Sequence, residues 1–351
     1  MSYFNAASHG FPDQDVYAAM VDHLNGQAKP SGGGAQCDEV EKRLDARKAV
    51  ASVLSADVDQ LGFTSTTTTA WHAIISALDL AGKRVLVTEH EWGDFYRALS
   101  KRADVEIQVL PSLDFSNPDL SSWVPFIDED VAAIFVPFVT SISGVRYPVE
   151  DIGLLPRPAG TKLIVDAAQA LGQTDVNVTN LGCDAIVSTC RKWMRGPRQT
   201  ALFWINDHWV ENGRPIKAQA LAPADQNSAL IIGLGAAARC FLRHPKHQIE
   251  QTLRLQADGL RAWATANGIA VYGGQDSKSA TVSLVLDQNR LTAVSDAFNR
   301  AEIVGKIVDI RVAEPLCHTP AGPSKVLRLS AHIYNTDSEI QRLTEVISSV
   351  L

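Results

Sequence analysis

The sequence predicts an α/β chain: a large domain on a mostly parallel sheet, then a small α+β C-terminal domain. Three observations carry this. Up to about residue 225, short continuous apolar runs alternate with helical periodicity, the pattern of a parallel sheet covered on both faces. Beyond that point long helices alternate with a few separated strands. Finally, 351 residues are enough to build two hydrophobic cores rather than one.

Along the chain, Asp38 to Leu54 places Val40, Leu44, Ala51 and Leu54 at helical spacing with charges on the other face. QLGFTST is a short strand running into hydroxyl residues. Ala70 to Leu80 reads as helix, RVLVTE as a buried strand, YRALSKR as helix and VEIQVLP as strand. VAAIFVPFV, TKLIVDAAQ, CDAIVST and TALFWI are four more apolar strands. Past the boundary, Ala229 to Leu242 and Ile249 to Ala266 are helical, SATVSLVL is a strand, and a helix lies near Leu291 to Ala301. IVGKIVDIRV and VLRLSAH complete an antiparallel sheet, and a helix from Asp337 closes the chain. The expected divisions are an arm (1–14), a large domain (15–225), and an interdomain helix with the small domain (226–351).

Composition narrows the function. A net charge of −7 argues against nucleic acid or an anionic membrane as main partner. No uncharged apolar run reaches the roughly 18 residues that span a bilayer, and MSYFNAASHGF lacks the basic and apolar regions of a secretory signal. Cys37, Cys183, Cys190, Cys240 and Cys317 are odd in number, form no CxxC and do not cluster with histidines. They read as free thiols in a reducing cytoplasm, with no metal site.

Chemistry gathers at the C-terminal ends of the large-domain strands, where open α/β sheets bind ligands. In FTSTTTTAWHA a strand meets threonines at a helix start, which serve either as a cap or as a phosphate-type anion site. Asp166 ends the buried strand of IVDAAQ; it either caps the next helix or meets a cation such as a protonated ring nitrogen. In VSTCRKWMRGPRQTALFWI, Lys192 lies beyond a buried strand with Arg191 beside it, and a neighbouring cation lowers a lysine's pKa as a Schiff-base lysine requires. In VLRLSAHIYNT, Arg328 is placed to meet a carboxylate bidentately.

Asp-Ala-Ala-Gln, then a Thr-x-Arg-Lys lysine about 25 residues on, then Arg-x-Ser-x-His-x-Tyr-Asn-Thr, resembles the class V aminotransferase family of fold type I pyridoxal-phosphate enzymes. The likeness runs from FNAASHG to the last helix. It implies that Lys192 anchors pyridoxal 5'-phosphate as a Schiff base and acts as the catalytic base. Asp166 would pair with the pyridine nitrogen, Gln169 and Ser141 would lie near the phenolic oxygen, and Ala168 would pack on one ring face. Trp92, or otherwise His90, would cover the other face. Thr67, Thr68, Thr189 and Arg191 would bind phosphate, with Asn227 reaching in from the partner of a homodimer. Arg328 would take the α-carboxylate of an amino-acid substrate, with Asn5, Ser8 and the Ser31 to Gly34 loop (Gly33 included) at the substrate end. Arg198 and Arg311 are candidates for a second carboxylate clamp.

Two details bear on the reaction. Many members of the family read Gly-Pro-Arg-Gly after the lysine, where this chain has Gln199. The RKW-x-x-GPR stretch, the HEW turn and the LRLS-x-H-x-x-NT ending are similar to the hercynylcysteine sulfoxide lyase and isopenicillin N epimerase-like branch. That likeness implies a carbon–sulfur lyase acting on an S-substituted cysteine or its sulfoxide. The alternatives are an aminotransferase, a cysteine desulfurase and an epimerase. Desulfurases of the family usually carry His before the lysine and a loop cysteine; Cys317 lies in the right region, but EPLCHTPAGPS is not that loop's pattern.

Overall fold

The structure is a computed structural model and describes residues 1–28, 33–211, 214–275, 277–317 and 322–351. Its centre is a seven-stranded sheet, ordered Leu61–Thr64, Ala201–Ile205, Ala185–Thr189, Lys162–Asp166, Val131–Pro137, Lys83–Val87, Val105–Val109. All pairings are parallel except those of Ala201–Ile205, which runs antiparallel to both neighbours. The predicted mostly parallel α/β class is what the chain adopts.

The continuous apolar runs have a direct cause. Side chains alternate across a strand, and both faces are buried. Leu86, Ile134, Val136, Leu163, Val165 and Ile186 pack in one core. Val85, Val87, Ala133, Phe135, Ile164 and Val187, the residues between them, pack in the other. With no solvated face, no polar residue is needed at alternate positions.

The small domain has a four-stranded, wholly antiparallel sheet, ordered Ala270–Tyr272, Thr281–Val285, Lys325–Ser330, Lys306–Asp309. Helices Lys246–Ala266, Gln288–Ala301 and Asp337–Ser348 supply its core through Leu260, Val294 and Leu343. One expectation fails here. IVGKIVDIRV is not one strand: it breaks at Gly305 into Ile303–Val304 and Lys306–Asp309, and then turns into helix Ile310–Ala313. Asp309 ends the strand by capping that helix, its side chain accepting from the Arg311 N–H at 2.9 Å.

Two of the elements that were not anticipated anchor the N-terminal region. Helix Gln14–Gln27 packs on Ser228–Leu242 through Val16, Ala19 and Met20. Strand Ser2–Tyr3 pairs in parallel with Ile303–Val304, a contact across some 300 residues that local pattern does not encode. Among the described residues no helix is long and apolar enough to cross a membrane.

Candidate active site

The register of the central sheet aligns strand ends. Pro137 lies opposite Asp166, and Asp166 opposite Val187. The loops leaving these ends enclose a cavity of about 740 Å³. Thr67, Thr68, His90, Trp92, Ser141, Asp166, Ala168, Gln169, Thr189, Arg191, Lys192, Arg328 and Ser8 all line it. Sequence positions as far apart as 8 and 328 thus converge on one space.

The N-terminal arm is held there by the C-terminal motif. Ser330 Oγ accepts from the Ala7 N–H at 3.0 Å, and Asn335 Nδ2 donates to the Tyr3 carbonyl at 3.1 Å. His332 Nε2 bonds the Trp193 carbonyl at 3.0 Å, next to Lys192, and its ring is stacked on Trp193. Burial lowers the pKa of His332 to about 3; as a neutral ring it donates from Nε2 while Nδ1 accepts from Ile333 N–H. Gly10 completes the joint: its N–H donates to the Arg191 carbonyl at 2.9 Å, and a Cβ there would stand 2.3 Å from the Lys192 carbonyl oxygen.

The lysine lies three residues past the end of Ala185–Thr189. Among the described residues its amine forms no hydrogen bond or ion pair. Burial, then Arg191, lower its pKa to about 7, and Asp166 opposes them. Asp166 is buried and its carboxyl pKa is raised by that burial; Oδ1 accepts the Ala168 N–H at 2.7 Å. A buried acid with so few donors is suited to a cationic N–H delivered by a ligand.

The threonines divide the two expected roles. Thr66 is the N-cap of Thr67–Ser76, accepting from the Thr69 N–H, while Thr67 and Thr68 line the cavity at the first turn. Thr189 Oγ1 accepts from Arg191 Nη1 at 2.8 Å, so the guanidinium is held beside that helix start. Free first-turn N–H groups, hydroxyls and a guanidinium form an anion cradle.

Arg328 is buried and, among the described residues, forms no ion pair with a carboxylate. Nη1 donates to the Ser141 carbonyl at 2.8 Å, Nη2 to Ser8 Oγ at 2.6 Å, and Nε has no partner. Burial lowers its pKa to about 10, so it remains a cation at neutral pH. Gln169 is fixed by donating to the Ala7 carbonyl and accepting from Trp193 Nε1. His90 and Trp92 both face the cavity; His90 is neutral, its pKa lowered to about 4 by burial, and its Nδ1 bonds Tyr147 Oη at 2.8 Å.

Two expectations need correction, those for Asn5 and Arg311. Asn5 does not line the cavity; it bridges Ser330 and its carbonyl accepts from the Ser8 and His9 N–H groups. Arg311 is exposed and paired with Asp309 at 2.8 Å, so it is no clamp, whereas Arg198 does line the cavity. Asn227 lines a neighbouring space of about 200 Å³ and caps its own helix, accepting from the Leu230 N–H at 3.1 Å. Gly33 opens helix Gly33–Leu54; Ser31 and Gly32 of its loop lie outside the described residues. Gln199 has φ +61°, the left-handed region a glycine enters without strain. For a non-glycine residue that conformation costs roughly 1–2 kcal/mol.

Three participants escaped the sequence reading. Lys306 lines the cavity mouth. Glu91 is buried, accepts from Thr88 Oγ1 at 3.0 Å and has its pKa raised to about 8 by burial and Asp166. Glu314 is buried behind Ser141 and accepts the Ile142 N–H at 2.7 Å, with its pKa raised to about 7 by burial.

A lysine, an acid and an anion cradle at the strand ends of this sheet define a fold type I pyridoxal-phosphate enzyme, and the comparisons agree. A profile of the family described as Aminotransferase class-V matches residues 2–220, and the chain belongs to that family. It is 25% identical to a probable cysteine desulfurase of Methanothermobacter thermautotrophicus, covering 99% of this chain and 94% of that one. With a cysteine desulfurase of Yersinia pestis it shares 26% identity over 87% of this chain and 82% of the relative. An apo cysteine desulfurase structure from Thermococcus onnurineus superposes with a TM-score of 0.87 at 20% identity, covering 99% and 94% of the two chains. The cystine C–S lyase C-DES superposes at 0.85 and 16% identity, covering 99% and 97%. These relatives carry the desulfurase and cystine-lyase names, so the resemblance read from the motifs holds at the level of the family.

Proposed function

We propose that this chain is a pyridoxal-phosphate-dependent carbon–sulfur lyase that eliminates the sulfur substituent from an S-substituted cysteine or cysteine sulfoxide. One contrast carries the reading: the Lys192 amine is held near neutrality, while the thiol near the site is held protonated. Cys317 Sγ contacts the Glu89 carbonyl at 3.1 Å, and burial, Glu314 and Glu89 push its pKa far up. Desulfuration by a cysteine requires the thiolate. Elimination requires only a base at Cα and an electron sink.

Bound pyridoxal phosphate supplies that sink. Asp166 would keep the ring nitrogen protonated, and Thr67, Thr68, Thr189 and Arg191 would hold the phosphate. Gln169 and Ser141 would serve the phenolic oxygen, and Ala168 with Trp92 or His90 would hold the ring. Arg328 orients the α-carboxylate, with Ser8 holding the guanidinium in place. Lys192 would hold the cofactor and would serve as the base that accepts the Cα proton, its amine being available near neutral pH. The Cβ–S bond breaks with its electron pair on sulfur, and released aminoacrylate hydrolyses to pyruvate and ammonia. The enzyme works as a homodimer in this reading. Tyr17, Val21 and Leu24, exposed at helical spacing on Gln14–Gln27, support it.

S-alkyl cysteine sulfoxides incubated with holoenzyme and no keto acid should yield pyruvate over many turnovers. An aminotransferase would stop after one turnover unless a keto acid is added. Sustained amino transfer with inert cysteine conjugates would replace the lyase reading by that one.

Cofactor capture has its own pH signature. Only the neutral amine attacks an aldehyde, so uptake by cofactor-free protein should slow as pH falls through about 7 and level off above it. At pH 6 it should be roughly tenfold slower than on the plateau. An ordinary lysine would give a rate still climbing beyond pH 9, and that profile would contradict the depressed pKa.

A further inference from the structure

The cavity holds more cations than the reaction requires. Lys306 and Arg328 are direct partners across the antiparallel strands Lys306–Asp309 and Lys325–Ser330. Residues so paired share a face with Cβ atoms about 5 Å apart, and both line the cavity. Like charges directly opposite one another destabilise a sheet; buried Glu314 acts on Arg328, whereas among the described residues no acid acts on Lys306. Lys306 forms no ion pair or hydrogen bond among those residues. The acids lining the cavity are Asp94, paired with Arg97 at 2.7 Å, and Asp166 at the buried floor. Asp309, on the same strand, is taken by Arg311.

Arg191 and Arg328 have assignments under the function proposed above, on which this inference rests. Arg191 is locked to Thr189 beside the phosphate cradle. Arg198 also lines the cavity, and its charge is felt by Arg191, His9 and Tyr3. Arg328 is fixed by two hydrogen bonds and takes the α-carboxylate. Lys306 differs from it: it is exposed at the mouth, on a flexible stem that suits an anion of variable position. Burial, Arg328 and Arg191 all lower its pKa, as expected of an amine facing cations with no counter-charge.

We propose that Lys306 is a specificity-determining residue that binds a second anionic group, carried on the substrate's side chain beyond the sulfur. The substrate class is then a dianionic amino acid, an S-substituted cysteine whose substituent ends in a carboxylate or similar anion. Bridging two adjacent cations with two anionic groups of one molecule removes the repulsion that the empty pair carries.

The test uses holoenzyme and two ligands of similar size, S-carboxymethylcysteine and S-ethylcysteine, with dissociation constants read from the change in cofactor absorbance. Wild type should prefer the anionic ligand by roughly tenfold, the scale of one charge-assisted contact. In Lys306→Gln the ratio of the two constants should collapse toward one. Equal affinity in wild type, or a Lys306→Gln loss shared equally by both ligands, would overturn the inference; the shared loss would place Lys306 on the α-carboxylate instead. Silence from both ligands in wild type would overturn the lyase reading itself, and this inference with it.

Discussion

Replacing Lys192 with alanine should leave a folded protein without the visible absorbance of lysine-bound cofactor and with turnover reduced by about 10³ or more, the usual scale for losing a catalytic nucleophile or base. The reason is where the amine sits. It is buried at a strand end, without an ion-pair partner among the described residues, and its pKa is lowered to about 7. A charged amine in that position is costly, so the cofactor-free variant should unfold at or above the melting temperature of cofactor-free wild type. A variant that loses activity because it no longer folds would show a clear drop in thermal midpoint, which separates the two causes.

Asp166→Asn should keep bound cofactor yet slow the amino-acid-induced absorbance change and product formation by a factor on the order of 10³. The carboxyl is buried between two parallel strands, with its backbone partner at Ala168. An amide of the same shape preserves that packing but cannot hold a ring nitrogen protonated, so the loss should fall on the rate rather than on cofactor occupancy. Turnover within a few-fold of wild type would remove Asp166 from this role.

Much of this site can be read in the sequence because a parallel sheet imposes a simple rule. Strands buried on both faces are apolar along their length, so the charged residues at or just beyond their ends, Asp166 and the Arg191–Lys192 pair, stand out. The threonine run at 66–69 is visible for a similar reason, as hydroxyls at the junction of strand and helix. The features that escaped depend on pairing across the chain. Lys306 lies inside an apolar run read as one strand, and its meaning comes from its register with Arg328. The motif residues Ser330, His332 and Asn335 show their part only when seen gripping Ala7, Trp193 and Tyr3. Asn5 and Arg311 misled because proximity in sequence to a site does not fix side-chain direction. The backbone of Asn5 is engaged by Ser8, His9 and Ser330 outside the cavity lining, and Asp309 draws Arg311 off.

Among the described residues the cavity is lined by two lysines, Lys192 at its buried floor and Lys306 at its mouth, and the proposals give them different work: the first would hold the cofactor, the second would meet the substrate. Borohydride reduction of the holoenzyme fixes the cofactor permanently to the amine that holds it, and mass spectrometry of the peptides then identifies that amine. The added mass should appear on the peptide containing Lys192 alone; finding it on Lys306 or on any other lysine would contradict the site as described.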